Sequence, residues 1–339
     1  MRRLFAIFIV YLFFSCNGNR DNQPDVSSIK VNLEVQRFEQ SLFSLDSTKL
    51  YTGIDSLIKA YPTFGETFFL DILNCDPNWG KDTLVNYIYG FTSSAAYKSL
   101  YDSTEKLFGN FTPYKEAIEQ ALRYQRYYFP KYKGPEKIIT YIGPLDGSGD
   151  GLTSDGIAIG LQHHLGGGSA FYQSEWIQAT YPAYVTRYFD ANHIVINCMN
   201  RIIADMYPDN FEDNPLITQM IEKGKRIFVL HALLPNQPES QLINYSEEQM
   251  KDCYAHEAEI WSFFTKNNLL QSTDYNQIKN YVNEGPKTQE LGESSPGNMG
   301  TWVGWQIVKK FMKKNQELSL DSLMKTPADY LLHKAKYKP

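Results

Sequence analysis

His256 and Glu257 are the first residues in this 339-residue chain that invite a search for chemistry. A zinc hydrolase sets two histidines one helical turn apart with a glutamate base between them, in the pattern H-E-x-x-H. The stretch here reads His256-Glu257-Ala258-Glu259-Ile260. Isoleucine cannot ligate zinc, so the motif fails and an ordinary helix with a polar face is expected. Asp146-Gly147-Ser148-Gly149-Asp150-Gly151 opens like a calcium loop, but Ile157 stands where the bidentate glutamate is needed and Asp155 is out of register. A hairpin loop using Gly and Asp for its turn is the expectation. His163-His164 ends a strand-like run. Neighbouring side chains on a strand point to opposite faces, so the two rings should not converge on one ion, and a structural or exposed role is expected. Neither a G-x-S-x-G elbow nor a Gly-rich phosphate loop occurs.

Composition narrows the classes further. A formal charge of −5 leaves no basic footprint for nucleic acid. With 24 Tyr and 20 Phe the chain can pack a large body; some aromatic rings could stack on sugars, but most should be core. Besides Cys16, the cysteines are Cys75, Cys198 and Cys253, an odd set that forms no disulfide framework and reads as buried thiols.

The elements that must position these residues are legible from periodicity. Residues 31–38 (VNLEVQRF) alternate with period two, as a half-buried strand does. Residues 47–129 read mainly as helices, the clearest being 113–129, opened by Pro113 and stopped by Pro130. KIITYI (137–142) and GIAIGL (156–161) read as neighbouring strands. Helices are expected over 192–206, 214–232, 246–268 and 298–314, the third opened by a capping box of Ser246 and Gln249. The class is α+β, predominantly helical, with a small sheet.

Met1-Arg2-Arg3 and the apolar run Leu4–Phe14 look like a signal peptide. Eleven apolar residues make a helix of ~16 Å against a hydrocarbon core of about 30 Å, too short to span it. The run ends Leu12-Phe13-Phe14-Ser15-Cys16, which resembles the lipobox of bacterial lipoproteins, in which the cysteine is lipidated. Residues 1–15 are thus expected to be removed, 16–29 to be a flexible tether and 30–339 a single globular domain. Arg20-Asp21 is the only approach to an acidic export signal after Cys16, which favours the periplasmic face of the outer membrane.

From Val31 to the C-terminus the chain resembles the gliding-motility lipoprotein GldB family of Bacteroidetes. The matching stretches are VNLEVQRFEQSLF from Val31, YYFPKYKGPEKIITYI (127–142), GIAIGLQHHLG (156–166), MIEKGKRIFVLHALLP (220–235), YSEEQMKDCYAHEAEIWSFFTKNNLLQSTD (245–274), SPGNMGTWVGWQIVKKFM (295–312) and the terminal KYKP (336–339). That family is in turn similar to zinc-dependent proteases of gluzincin-like layout: a strand pair, a helix bearing the histidines, and a second helix giving a glutamate before a glycine. On this chain the resemblance puts Asn197 and Arg201 at the ligand turn of the first helix, and Lys223, not glutamate, before Gly224 on the second. Without ligands no metal can lower the pKa of a bound water. The resemblance therefore implies a degenerate metallopeptidase-like scaffold without cofactor or catalysis. It would be a pseudopeptidase anchored through lipid on Cys16 and serving the gliding or type IX secretion apparatus through protein contacts. Two other readings stand beside it. One is a hydrolase built on His193 or His231 with Asp205 or Glu222; the other is a glycan-binding module with a solvent-facing row of Trp and Tyr.

Overall fold

Residues 23–339 are described by the computed structural model; the signal segment, Cys16 and the start of the tether lie outside the described residues. Strand β1 (Glu34–Arg37) falls within the alternating stretch and leads into α1 (Phe38–Phe43). Then come α2 (Leu50–Ala60), α3 (Pro62–Glu66), which continues as a π-helical stretch Thr67–Ile72, α4 (Lys81–Ser93), α5 (Ala95–Phe108) and α6 (Thr112–Tyr128). Pro113 occupies the first turn of α6, where its missing N–H costs nothing. Val26 packs into the core and the Arg126 guanidinium donates to the Lys30 carbonyl, so the packed body begins within the 16–29 segment expected to be free tether.

Strands β2 (Lys137–Tyr141), β3 (Gly151–Thr153) and β4 (Gly156–Gly160) complete a mixed sheet of order β1-β2-β4-β3. The expected neighbours β2 and β4 do pair, with Ile138 opposite Ile157, but in parallel. A parallel neighbour cannot be reached by a tight turn. The Gly- and Asp-rich loop expected to be a hairpin therefore carries the chain across to β3, and the true hairpin is the turn from Thr153 to Gly156. Gly156 has φ of 153°, with the Lys137 carbonyl 2.5 Å from where a Cβ would stand.

The remaining chain is helical: α7 (Glu175–Thr180), α8 (Ala183–Thr186), α9 (His193–Met206), α10 (Leu216–Leu233), α11 (Glu239–Leu242), α12 (Glu247–Ala255), α13 (Glu257–Lys266), α14 (Tyr275–Val282), α15 (Met299–Lys314), α16 (Leu320–Lys325) and α17 (Ala328–Ala335). The helix expected over 246–268 breaks at His256, whose backbone (φ −113°, ψ 21°) ends α12 and starts α13. The Ser246–Gln249 capping box is formed.

The sheet separates two apolar clusters. Ile139, Tyr141 and Ala158 face a smaller aromatic core with Phe38, Phe64 and Phe68. Ile138, Ile157 and Ile159 face a larger core shared with α6, α9, α10 and α15. That division follows the period-two alternation of a strand buried on both faces. In the larger core, α10 and α15 touch backbone to backbone. A Cβ at Gly224 would lie 2.3 Å from the Gly304 carbonyl carbon, and one at Gly304 would lie 1.7 Å from the Met220 oxygen.

Candidate functional site

Two parallel strands ending side by side place the loops after them at one edge of the sheet. The loop after β2 brings Asp150 there, and the turn after β4, a 3₁₀ segment at Leu161–His163, brings His164. Both side chains are buried. His164 Nε2 lies 3.0 Å from each Asp150 oxygen, and its Nδ1 lies 3.0 Å from the Asp190 carbonyl. Both ring nitrogens thus face acceptors, a pattern that only the doubly protonated ring satisfies. Asp150 also accepts the Gly160 N–H at 3.0 Å and the Asn197 amide at 2.9 Å. Burial opposes the Asp150 charge, but His164, Asn197 and the Gly160 N–H outweigh it and hold the carboxyl below its ordinary pKa. Burial likewise opposes charge on His164, and Asp150 with Asp190 overcomes it, raising the imidazole above its usual value.

One turn before Asn197, His193 Nδ1 donates to Asp190 Oδ1 at 3.0 Å, and that carboxylate also accepts the Asn192 N–H that opens α9. His193 Nε2 is buried without a hydrogen-bond partner. Neighbouring His163 points elsewhere: its Nε2 bonds to the Leu145 carbonyl and its ring stacks on Phe189 at 4.5 Å. The two histidines diverge as their spacing implied, but neither is exposed. Their separation comes from the 3₁₀ turn, not from a continuing strand.

The residues singled out from sequence do not gather around one centre. Asn197 joins the ionic cluster, Arg201 one turn on is exposed, and Lys223 turns away to the Val282 carbonyl (2.6 Å) and Asn283 (3.1 Å). Burial lowers the Lys223 pKa. The alternative hydrolase set is also dispersed. Asp205 accepts from Tyr132, Glu222 accepts from Lys225, and His231 packs edge-on against Trp305. His256 lies on the surface with Glu259 at 2.7 Å. Among the described residues, no three His, Cys, Asp or Glu side chains are placed to share a metal ion. Cys75, Cys198 and Cys253 are free and buried as expected. Burial pushes Cys75 up to about 11 and Cys253 to about 12.

Sequence reasoning named Asp150 and His164 separately without pairing them, and missed Asp190. A usable signal was present, because an acid in the loop after one strand and a histidine after the next share one sheet edge when the two strands are parallel neighbours. The assumed hairpin hid it.

A second feature lies at the C-terminal ends of α6 and α9. Tyr127, Tyr128, Phe129, Lys131, Tyr207 and Asp321 help to line an open cavity of about 640 Å³. Tyr132 also borders a neighbouring cavity of about 660 Å³ flanked by Lys133, Glu136, Asp155 and Asp205. Two of the tyrosine hydroxyls are tethered, Tyr132 to Asp205 at 2.7 Å and Tyr207 to Asp321 at 2.5 Å.

These observations define a class: a helical α+β protein whose small mixed sheet ends in a closed ionic cluster at the start of α9, with an open aromatic groove at the other end of that helix. The family model described as "Gliding motility protein GldB" matches residues 19–339, and the chain belongs to that family. A role in gliding motility follows from this membership. No curated protein and no solved structure matches the chain. No helix among the described residues is long and apolar enough to cross a membrane.

Proposed function

We propose that this protein works in the cell envelope as a non-catalytic component of the gliding or type IX secretion apparatus, held to the membrane by lipid on Cys16 and acting through protein contacts. The observation that carries the non-catalytic reading is the use made of Asn197. Its amide is spent inside the cluster on Asp150, whose other bonds go to His164 and Gly160. A general base needs a free lone pair within reach of a substrate proton. Asp150 and His164 are closed off from solvent and committed to each other, so they support the loops instead. A metallopeptidase-like ancestry, with Asn197, Arg201 and Lys223 at the degenerate positions, belongs to the same reading and rests on the sequence resemblance alone.

The lipobox supports lipid anchoring, and the lack of an acidic run after Cys16 supports the periplasmic face of the outer membrane. Two experiments test the proposal. In cells, Cys16→Ala should move the protein from the detergent-rich phase to the aqueous phase and abolish palmitate labelling and gliding. Crosslinking in intact cells should capture components of the motility machinery with the wild type. Separately, the purified protein should carry no stoichiometric zinc. Zinc at one per chain, with a hydrolytic activity that a chelator removes, would end the non-catalytic reading.

A further inference from the structure

The point at which the packed body begins limits which side of it can meet a membrane. Pro24 is half-buried and Val26 lies in the larger core, so the chain is docked from there onward. Gln23 lies seven residues after Cys16. At ~3.6 Å per residue that length spans about 25 Å at most, however it is arranged. A compact domain of this size is roughly 50 Å across. A lipid on Cys16 therefore keeps the entry side of the body at the bilayer, and the far side cannot swing round to it.

Contacts along α6 define the entry side. The Arg126 guanidinium donates to the Lys30 carbonyl, Lys115 reaches Asn32 at 3.5 Å, and the buried Glu119 carboxylate accepts the Leu33 N–H at 2.8 Å. Residues 30–33 thus lie against one face of α6, on which positions 115, 119 and 126 fall at helical spacing. The chain then enters β1, where the Glu34 N–H donates to the Glu136 carbonyl just before β2. Because β1, β2 and β4 are parallel, this is the sheet edge opposite the one that holds Asp150 and His164. Lys131 and Lys133 stand in the connection from α6 to β2, which ends at the entry edge.

The charge on this side runs against that of the whole chain, which has 38 acids to 33 Lys and Arg. Over residues 23–33 and 112–133, Lys30, Lys115, Arg123, Arg126, Lys131 and Lys133 outnumber Asp25, Glu116 and Glu119. Glu119 is buried between Lys115 and Arg123, while Lys30, Lys131 and Lys133 are exposed. Once a tether brings such cations to a bilayer, anionic headgroups attract them over a Debye length of about 8 Å.

We propose that the entry side, with Lys30, Lys131 and Lys133 at its surface, rests on an anionic phospholipid layer and turns the Asp150–His164 end of the sheet away from it. This orientation rests on the lipid anchor at Cys16.

The test uses the mature lipidated chain, its acylation first checked by mass spectrometry. It is added to preformed phosphatidylethanolamine–phosphatidylglycerol vesicles that carry a headgroup spin label. Reporter cysteines are placed at two exposed positions. Ser28→Cys marks the entry side, and Trp176→Cys marks α7, whose C-cap Tyr181 donates to the Gly147 carbonyl in the loop after β2. The native thiols of the body are buried and acylated Cys16 has none free, so only the introduced cysteine takes a fluorophore. Quenching at position 28 should exceed that at position 176 at least about threefold, since much of a body roughly 50 Å across separates them. Lys30→Glu, Lys131→Glu and Lys133→Glu together should remove about half of that difference, as should phosphatidylcholine in place of the anionic mixture. All three lysines are solvent-facing, so these changes should not unfold the chain. A chain without acyl groups on Cys16 would end the anchor reading, and this orientation with it. An acylated chain quenched equally at both positions would overturn the orientation alone. So would a difference that survives both charge reversal and phosphatidylcholine, because it would owe nothing to the headgroups. Quenching at position 28 that falls as the protein-to-lipid ratio rises would mean that a second copy covers this side instead.

Discussion

Asp150 and His164 illustrate how much a single pair can decide when water is excluded. Each is buried and each is the other's main compensation, so removing one strands the charge of the other. Asp150→Asn should therefore cost about 3–5 kcal/mol of folding stability, measured by urea denaturation near pH 6. The pH dependence has a defined sign at each end. His164 is raised above its ordinary 6.5, so its contribution is complete below that value and is lost as pH rises through the raised one. Asp150 is depressed below 3.8, so its contribution is present above that value and is lost as pH falls through the depressed one. The difference in stability between wild type and Asp150→Asn should shrink on going from pH 6 to alkaline pH. A difference constant across that range would mean that the pair is not ionic. At this scale the sequence was least readable. Asp150 sits in a stretch whose glycines and acids suit any turn, and nothing local distinguishes a buried anion from a solvated one.

Among the elements, the contact of α10 with α15 has the tightest tolerance. Gly224 and Gly304 let the helices meet with backbone atoms where side chains would normally intervene. Adding one methyl at Gly304 pushes against the Met220 carbonyl, which belongs to a helix and cannot rotate away. Gly304→Ala should lower stability by at least the ~1–3 kcal/mol typical of overpacking, seen as a reduced midpoint in thermal or urea melts. Ser246→Ala, which removes one half of the formed capping box, should cost about 1 kcal/mol by the same assay. Boundaries of the long helices were legible because prolines, caps and apolar spacing are local signals: 113–129 became Thr112–Tyr128, and 298–314 became Met299–Lys314. The break at His256 was not legible, since the apolar residues on either side keep helical spacing and only packing shows where the chain turns.

The molecule as a whole buries its thiols in separate places, Cys75 in the smaller aromatic core and Cys198 and Cys253 in the larger. Burial raises all three pKa values, so little thiolate exists even where reagent could reach it. In native buffer these three cysteines should resist a thiol reagent and react promptly in denaturant; rapid native labelling of any of them would contradict the packing. Composition had already separated buried thiols from a disulfide framework by parity alone. By itself the sequence determined the helical α+β class, most element positions and the set of segments that place the chain in its family, because periodicity, capping and turn chemistry act over a few residues. Only the tertiary structure decided that β2 and β4 run parallel, and with that which side chains meet. Strand direction depends on a connection tens of ångströms long, so the Asp150–His164–Asn197 cluster and the groove between α6 and α16 exist only once the chain has closed on itself.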